Sequence, residues 1–198
     1  MMIASAPSPF ACAMFLIGSL SIAGIFQAIW FRSPLSNRFR QPLDGGRTFR
    51  GKRIFGEHKM VRGLLVMPLA AMLVFYLAGC FRQELPTIVQ AGTWNTSCLH
   101  YGTTGFMAGL FFMLAELPNS FVKRQVGIAQ GSSANNTLLK YVFIITDRID
   151  SSLGALLVIS VLVPIQALTW LWTLLIGAMV HLGFSYLLFL LGVKKRTI

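Results

Sequence analysis

The sequence is poor in acidic residues, with 6 Asp and Glu against 17 Lys and Arg among its 198 residues. Charged residues make up only 12% of the chain, whereas 55% is apolar. This composition argues strongly against a water-soluble domain. A net charge of +11 could suit a nucleic-acid partner, but nucleic-acid binders carry their basic residues on a soluble surface without long apolar runs. We therefore expect no nucleic-acid partner, and the basic excess needs another explanation.

Cysteine and histidine are also scarce. The three cysteines form no CxxC pair, and the three histidines lie far apart in the sequence. This spacing fits neither a zinc knuckle nor a disulfide framework, although a pairing of Cys80 with Cys98 is left open. We expect His181, in the last apolar segment, to be a buried packing residue and not a metal ligand.

Long apolar runs, by contrast, are abundant. A helix needs roughly 20 apolar residues to cross a bilayer core about 30 Å thick. Five stretches approach this length, at about residues 10–31, 63–81, 100–118, 141–163 and 169–193. The sequence therefore predicts an all-α fold, a polytopic integral membrane protein of about five transmembrane helices with a basic cytoplasmic loop between helices 1 and 2. Residues 1–198 are expected to form a single membrane domain.

The basic residues predict an orientation in the membrane. Nine Lys and Arg lie in residues 32–62, between the first two stretches, whereas the next loop holds only Arg82. Three more follow the third stretch, the turn at Pro164 has none, and residues 194–196 hold three. Because basic loops stay in the cytoplasm, we expect a multi-pass protein of the cell membrane with its N-terminus outside and its C-terminus inside. The first stretch is expected to be a retained helix and not a signal peptide.

Three of the few acids lie near or within apolar stretches. A carboxylate at membrane depth is costly, so its usual explanation is functional. Asp147 and Asp150 are three residues apart and share one helix face, a spacing that suits Mg²⁺ bound by hard oxygen ligands. With the predicted topology, Glu116 converges with them near the cytoplasmic side. The alternative is a structural ion pair of an aspartate with Arg148 or with a basic residue of the loop.

The segment from residue 36 to residue 62, called the basic loop below, is rich in both basic residues and glycine. The simplest explanation is a juxtamembrane segment that binds anionic lipid headgroups. Such a segment does not need the glycines at positions 45, 46, 51 and 56, which permit tight turns and close backbone approach. Arg and Lys on a glycine-rich loop suit a polyphosphate ligand, because guanidinium groups bind phosphate oxygens in pairs.

Three motifs occur in a characteristic order. The first is PLDGGRTFRGKRIFG at residues 42–56, continued by Lys59 and Arg62. The second is NSFVKRQVGI at residues 119–128, and the third is DRID at residues 147–150. Together they resemble the CDP-archaeol synthase family over roughly residues 10–193, and the third is also similar to the end of the phosphatidate cytidylyltransferase signature.

The resemblance implies a CTP-dependent cytidylyltransferase, with Mg²⁺ as cofactor, that converts a membrane lipid phosphate and CTP into a CDP-lipid and pyrophosphate. The lipid would be archaeol phosphate-like or phosphatidate-like. The resemblance gives catalytic roles to Asp147, Asp150, Lys123 and Arg124, and metal binding to the two aspartates with Glu116. It gives substrate or nucleotide binding to Asp44, Arg47, Arg50, Arg53, Lys59, Arg62, Asn119, Ser120 and Arg148.

Two other functions are compatible with the same residues. One is a non-catalytic membrane protein, lipid-binding or transporter-like, whose basic loop only holds anionic lipids. The other is a CTP-dependent lipid kinase, which would release CDP in place of pyrophosphate. The oligomeric state is not predicted.

Overall fold

The computed structural model describes residues 5–129, 131–132 and 136–190, most of which are helical. The α-helices of this part are α1 (Pro9–Arg32), α2 (Val61–Cys80), α3 (Thr87–Gln90), α4 (Cys98–Leu114), α5 (Glu116–Gln125), α6 (Thr137–Leu162) and α7 (Ala167–Leu190). Short 3₁₀ helices occupy Pro34–Phe39 and Arg82–Glu84. The predicted end of the fifth span at residue 193, and the basic residues 194–196, lie outside the described residues.

Local sequence signals set several helix ends. The Ser97 side chain accepts the backbone N–H of His100 at 3.2 Å and caps the start of α4. Asn136 caps α6 in the same way, with its side-chain oxygen accepting the N–H of Leu138 at 2.9 Å. Ser and Asn favour this position because their short side chains satisfy backbone donors that the first turn leaves unpaired. The residues of the predicted third span are divided between two consecutive helices, α4 and α5, which meet at Ala115.

The basic loop is not helical throughout. It contains a small antiparallel hairpin of β1 (Thr48–Phe49) and β2 (Lys52–Arg53). The two residues between the strands, Arg50 and Gly51, have φ of 51° and 75°. A tight hairpin turn with two left-handed residues matches the twist of its strands, and glycine adopts that conformation without strain. The predicted all-α class is therefore correct for the helical body but missed this hairpin.

Helices α2, α4 and α6 pack through glycines. A Cβ at Gly105 of α4 would lie 2.5 Å from the carbonyl oxygen of Ala71 on α2, and one at Gly154 of α6 would lie 2.4 Å from that of Phe111 on α4. In lipid, hydrophobic burial contributes little to helix association, and van der Waals packing drives it instead. Small residues such as glycine favour this packing because they let the helix backbones approach closely. Glycine spacing therefore sets the distances between the central helices.

One end of the bundle is fixed by hydrogen bonds between its connections. Trp94 is fully buried, and its indole N–H donates to the carbonyl of Pro164, between α6 and α7, at 2.9 Å. Tyr101 of α4 donates its hydroxyl to the Trp94 carbonyl at 2.7 Å. Ser8, before α1, donates its backbone N–H to Ala91 at 2.9 Å. These contacts, called the Trp94 end below, join four helices away from the basic loop.

Three helical segments of the described residues are long and apolar enough to cross a membrane: Pro9–Arg32, Val61–Cys80 and Cys98–Gln125. They agree with the first three predicted spans within a few residues, apart from the extension of the third through α5. The fourth predicted span corresponds to α6 and the described part of the fifth to α7, and the first 17 residues of α7, Ala167–Gly183, form a shorter apolar helix. The full count of five transmembrane helices stays a prediction.

Replacing Gly105 by Ala should destabilise the protein, because the added methyl group would collide with the backbone of α2. Overpacking of this kind costs about 1–3 kcal/mol. Gly18→Ala on α1 is the matched control, since a Cβ there meets nothing within 4 Å. Thermal unfolding in detergent, followed by tryptophan fluorescence, should show a lower midpoint for Gly105→Ala alone. Equal midpoints would contradict the proposed close packing.

Candidate active site

The basic loop is organised around one buried carboxylate, that of Asp44, which is 5% exposed. It accepts the backbone N–H groups of Gly46, Phe55 and Gly56 at 3.0, 3.1 and 2.9 Å. The Arg53 guanidinium binds both of its oxygens, at 2.6 and 3.2 Å. The Arg53 guanidinium, with the backbone donors, holds the pKa of Asp44 well below its usual range. Asp44 thus ties the two ends of the glycine-rich segment together.

The hairpin of the basic loop rests on α5. The Phe49 ring lies 5.8 Å from that of Phe121, centroid to centroid. The Lys52 ammonium donates to the backbone carbonyl of Gln125 at 2.6 Å. Arg47 and Arg50, both predicted to bind nucleotide, are exposed on this part of the loop. The loop therefore packs against the helix that carries the second sequence motif.

The three predicted metal-binding acids lie close together at the end of the bundle opposite Trp94, with Glu116 at the start of α5 and Asp147 and Asp150 on α6. The Asn119 amide nitrogen donates to Asp147 at 2.6 Å and to Asp150 at 3.0 Å. The Ser151 hydroxyl donates to Glu116 at 2.7 Å and lies 3.3 Å from an Asp150 oxygen. Glu116, Asp147 and Asp150, with the bridging Asn119 and Ser151, are called the acid cluster below. It forms one continuous hydrogen-bonded chain between α5 and α6.

Two lysines neutralise the outer members of this chain. Lys59 of the basic loop forms an ion pair with Glu116, and Lys123 forms one with both oxygens of Asp147. The partner of Asp147 is thus Lys123, one helical turn from Asn119 on α5, and not Arg148. Glu116 and Asp147 are therefore paired with lysines from two different motifs. Such pairing lowers the cost of placing a carboxylate in an apolar environment.

The acid cluster itself is not a ready-made metal cage. Within the described part of the chain, no three His, Cys, Asp or Glu side chains are grouped closely enough to hold a metal ion. One atom beside the two aspartates is unusual, however. The Asn119 side-chain oxygen is buried and has no hydrogen-bond partner among the described residues.

Two cavities lie beside the basic loop, and the second is also lined by Glu116 of the acid cluster. The first has a volume of about 380 Å³ and is lined by Lys52, Arg53, Arg124 and the turn at Gly127. The second, of about 250 Å³, lies between Lys59, Arg62 and Glu116 and reaches apolar residues of α1 and α4. Each cavity contains an arginine, Arg124 or Arg62, whose Nε–H is buried without an acceptor among the described residues. Buried donors without acceptors are costly, and an anionic ligand would satisfy them.

Arg148 lies away from the acid cluster, although it was predicted to bind substrate or nucleotide. Its guanidinium is 3.2 Å from the ring nitrogen Nδ1 of His181 on α7. Adjacent helical residues point about 100° apart, so Arg148 cannot share the face of Asp147 and Asp150. The expectation that His181 is buried was wrong, since its side chain is exposed at this contact.

The sequence prediction missed Ser151 and Lys52. Ser151 follows Asp150 directly and links it to Glu116, and Lys52 belongs to the first motif. Ser120, predicted to bind substrate or nucleotide, is half-buried beside Asn119. The functional roles given to all the site residues remain predictions.

Comparison with known proteins identifies the family. Residues 22–197 match the family described as CarS-like CDP-archaeol synthase. The chain belongs to the CDP-archaeol synthase family. It is 25% identical over 154 residues to a CDP-archaeol synthase of Methanococcus aeolicus, covering 77% of this chain and 80% of that protein. The corresponding enzyme of Saccharolobus islandicus is 27% identical over 158 residues, 78% of this chain and 80% of the relative.

A solved structure shares the fold of this CDP-archaeol synthase family member. It is described as an intramembrane enzyme for archaeal membrane lipid biosynthesis, and it matches with a TM-score of 0.58 at 22% identity. The match covers 88% of this chain and 92% of the other. At that identity the likeness establishes the fold alone.

Replacing Asp44 by Asn should loosen the basic loop, because it removes the negative charge that holds Arg53 and three backbone donors. Limited trypsinolysis should then cut after Arg47, Arg50, Lys52 or Arg53 several-fold faster than in the wild type. Glu57→Gln is the control, since the Glu57 side chain is 72% exposed and lies 3.7 Å from Arg53. Equal cleavage rates for the two variants would exclude this role of Asp44.

Ionisation of the Asp44 carboxylate should also determine how the protection of the basic loop from protease depends on pH. Because folding lowers the pKa of Asp44, its stabilisation is complete above the unfolded value of about 3.9. It is lost only as the pH falls through the lower pKa of the folded state. Loop protection should therefore be constant from neutral pH down to about pH 5, measured with a protease active over that range.

Proposed function

We propose that this chain transfers a cytidylyl group from CTP to the phosphate of a membrane lipid of the archaeol phosphate type, releasing pyrophosphate. CDP-archaeol synthases are CTP-dependent cytidylyltransferases that form a CDP-lipid. The observation that carries the proposal is the acid cluster of α5 and α6 packed beside the basic loop, where each of two cavities has an arginine whose buried Nε–H lacks an acceptor among the described residues. Nucleotidyl transfer mainly needs positioned phosphates and neutralised charge, which such a site can supply.

The two cavities favour different substrates. The larger one is open and lined by Lys52, Arg53 and Arg124, a set of cations suited to the triphosphate of CTP. The smaller one combines Lys59 and Arg62 with apolar residues such as Phe31 and Met113. A lipid phosphate has this same combination of an anionic head and apolar chains. We therefore assign CTP to the first cavity and the lipid phosphate to the second.

The acid cluster fits a magnesium ion. Its donors are carboxylate oxygens, which Mg²⁺ prefers, and Mg²⁺ is commonly bound by one or two carboxylates together with substrate phosphates. The unpaired, buried oxygen of Asn119 beside Asp147 and Asp150 also indicates a place for a further cationic partner. Asp147 and Asp150 would hold the cation, with Glu116 as the predicted third ligand. When bound, Mg²⁺ supplies charge neutralisation at the phosphate oxygens.

The reaction follows from these positions. An oxygen of the lipid phosphate attacks the α-phosphorus of CTP, and the bond from that phosphorus to the bridging oxygen of the β-phosphate breaks. The two electrons of that bond leave with pyrophosphate. Lys123 and Arg124 are suited to neutralise the triphosphate, and Lys59 and Arg62 to hold the attacking lipid phosphate. Arg47 and Arg50 extend the positive surface through which an anionic nucleotide approaches.

The membrane topology is also a proposal. We infer five spans in a single membrane domain, with the N-terminus outside and the C-terminus in the cytoplasm. The nine Lys and Arg of residues 32–62 support this orientation by the positive-inside rule. The basic loop packs on α5 and pairs with Glu116, so the acid cluster lies at the same side of the membrane, where CTP is available.

Purified protein with CTP, Mg²⁺ and archaeol phosphate should yield CDP-archaeol and pyrophosphate, detected by product mass. Diacyl phosphatidate in a parallel reaction tests the lipid class. Asp150→Asn should lower the rate by about 100-fold, because it removes a carboxylate that would hold the cation that neutralises the phosphate oxygens. In a further reaction with the lipid alcohol in place of the lipid phosphate, release of CDP would identify a lipid kinase. No turnover with any of the lipids would favour a non-catalytic lipid-binding protein.

Two arginine variants test the assignment of the cavities. Arg124→Gln should raise KM for CTP about tenfold or more with little change in KM for the lipid, because it removes a charged hydrogen-bond donor from the first cavity. Arg62→Gln should have the opposite effect. Steady-state kinetics with each substrate varied in turn measure both constants. Equal effects of the two variants on both KM values would contradict separate binding cavities.

A further inference from the structure

The side-chain amide of Asn119 is only half satisfied. Asn119 is 9% exposed, and its nitrogen donates to Asp147 at 2.6 Å and to Asp150 at 3.0 Å. Its oxygen is also buried but has no partner among the described residues. A buried acceptor normally has a hydrogen-bond donor or a cation beside it. The unpaired oxygen therefore needs an explanation.

The position of the amide nitrogen supplies one. It lies within hydrogen-bond distance of both aspartates, where a cation shared by the two carboxylates would also be attracted. The Lys123 ammonium, one turn further along α5, pairs with the same oxygen of Asp147 that accepts from Asn119. Two donors of α5 thus supply the positive charge and hydrogen bonds that a metal ion would otherwise provide to Asp147.

The other predicted ligand is already engaged. Glu116 accepts the Ser151 hydroxyl on one oxygen and pairs with Lys59 through the other. In the described residues no group of three His, Cys, Asp or Glu side chains can hold a metal. A further ligand from the protein would then be of another residue type, and amide oxygens are common ligands of hard cations.

We propose that Asn119 is a ligand of the divalent cation, and that its amide reverses when the cation enters between Asp147 and Asp150. The side-chain oxygen then coordinates the cation, and the nitrogen gives up its bonds to the aspartates. This inference rests on the proposed function for the identity of the cation as Mg²⁺. It assigns to Asn119 a role different from the substrate or nucleotide binding that the resemblance implied.

Binding of Mn²⁺, a spectroscopic substitute for Mg²⁺, tests the proposal without turnover. Electron paramagnetic resonance measures free Mn²⁺ in a titration of the purified full chain, without nucleotide. Asn119→Ala should weaken binding about tenfold, on the scale reported for single changes at metal sites. Asn119→Asp, which keeps an oxygen and adds a charge, should bind at least as tightly as the wild type.

The sign of the change separates the proposal from a purely structural role. If Asn119 only occupies the place of the cation, its removal frees the aspartates and Asn119→Ala binds Mn²⁺ equally or more tightly, which would overturn the proposal. Asn119→Leu, of similar size but without polar atoms, replaces the alanine variant if that one does not fold. Asn37→Ala, the same change at an exposed position, should leave the affinity unaltered. Glu116→Gln should weaken binding less than Asn119→Ala, and the reverse order would overturn the choice of ligand.

The outcome is independent of the proposed reaction. Weaker Mn²⁺ binding in Asn119→Ala together with no CDP-lipid from the wild type would leave the metal ligand and reject the cytidylyltransferase assignment. CDP-lipid formation by the wild type, together with unchanged or tighter Mn²⁺ binding in Asn119→Ala, would support the cytidylyltransferase assignment and reject Asn119 as a metal ligand. Thermal unfolding of each variant confirms that the affinities are compared among folded proteins.

Discussion

Charge compensation of a few carboxylates constrains this structure more than any other interaction. An ionised carboxylate in an apolar, membrane-embedded environment is stable only when hydrogen bonds and opposite charges surround it. Glu116 and Asp147 are paired with lysines from distant parts of the chain, Lys59 and Lys123, whereas Asp150 accepts hydrogen bonds from Asn119 and from the backbone N–H of Ser151. These pairings fix α5, α6 and the basic loop relative to one another.

The same constraint explains why the basic loop has a defined shape. Asp44 accepts hydrogen bonds from backbone N–H groups on both sides of the hairpin and from the arginine of its second strand. With its shape fixed from within by Asp44, the loop can present other basic side chains outward. Lys52 and Lys59 then connect it to α5. Within this motif Asp44 and Arg53 fix the shape of the loop, while Arg47 and Arg50 remain exposed.

Some of this arrangement could be predicted from sequence and some could not. The i, i+3 spacing of Asp147 and Asp150 follows from helix periodicity, and the glycines of the first motif predict turns. The partner of Glu116 could not be predicted, because Lys59 is 57 residues away and only the folded loop brings it close. The left-handed conformation of Arg50 could not be predicted either, since arginine rarely adopts the positive φ of 51° found in the hairpin turn.

The helical body shows the same division. Apolar runs predicted the helices within a few residues, because the length of a membrane-crossing helix is set by the bilayer. The exposure of His181 depends on how α7 packs on α6, and composition does not contain that information. The break at Ala115 between α4 and α5 was not predicted, although Glu116 and Pro118 follow it directly and proline is tolerated in the first turn of a helix.

The two ends of the bundle are joined by different kinds of contact. At the Trp94 end, neutral donors of Trp94, Tyr101 and Ser8 hydrogen-bond to backbone carbonyls. At the opposite end, ion pairs and hydrogen bonds between side chains join α5, α6 and the basic loop. Contacts to backbone carbonyls do not depend on protonation of a side chain, so a change of pH or salt acts on the acid-cluster end and leaves the Trp94 end as it is.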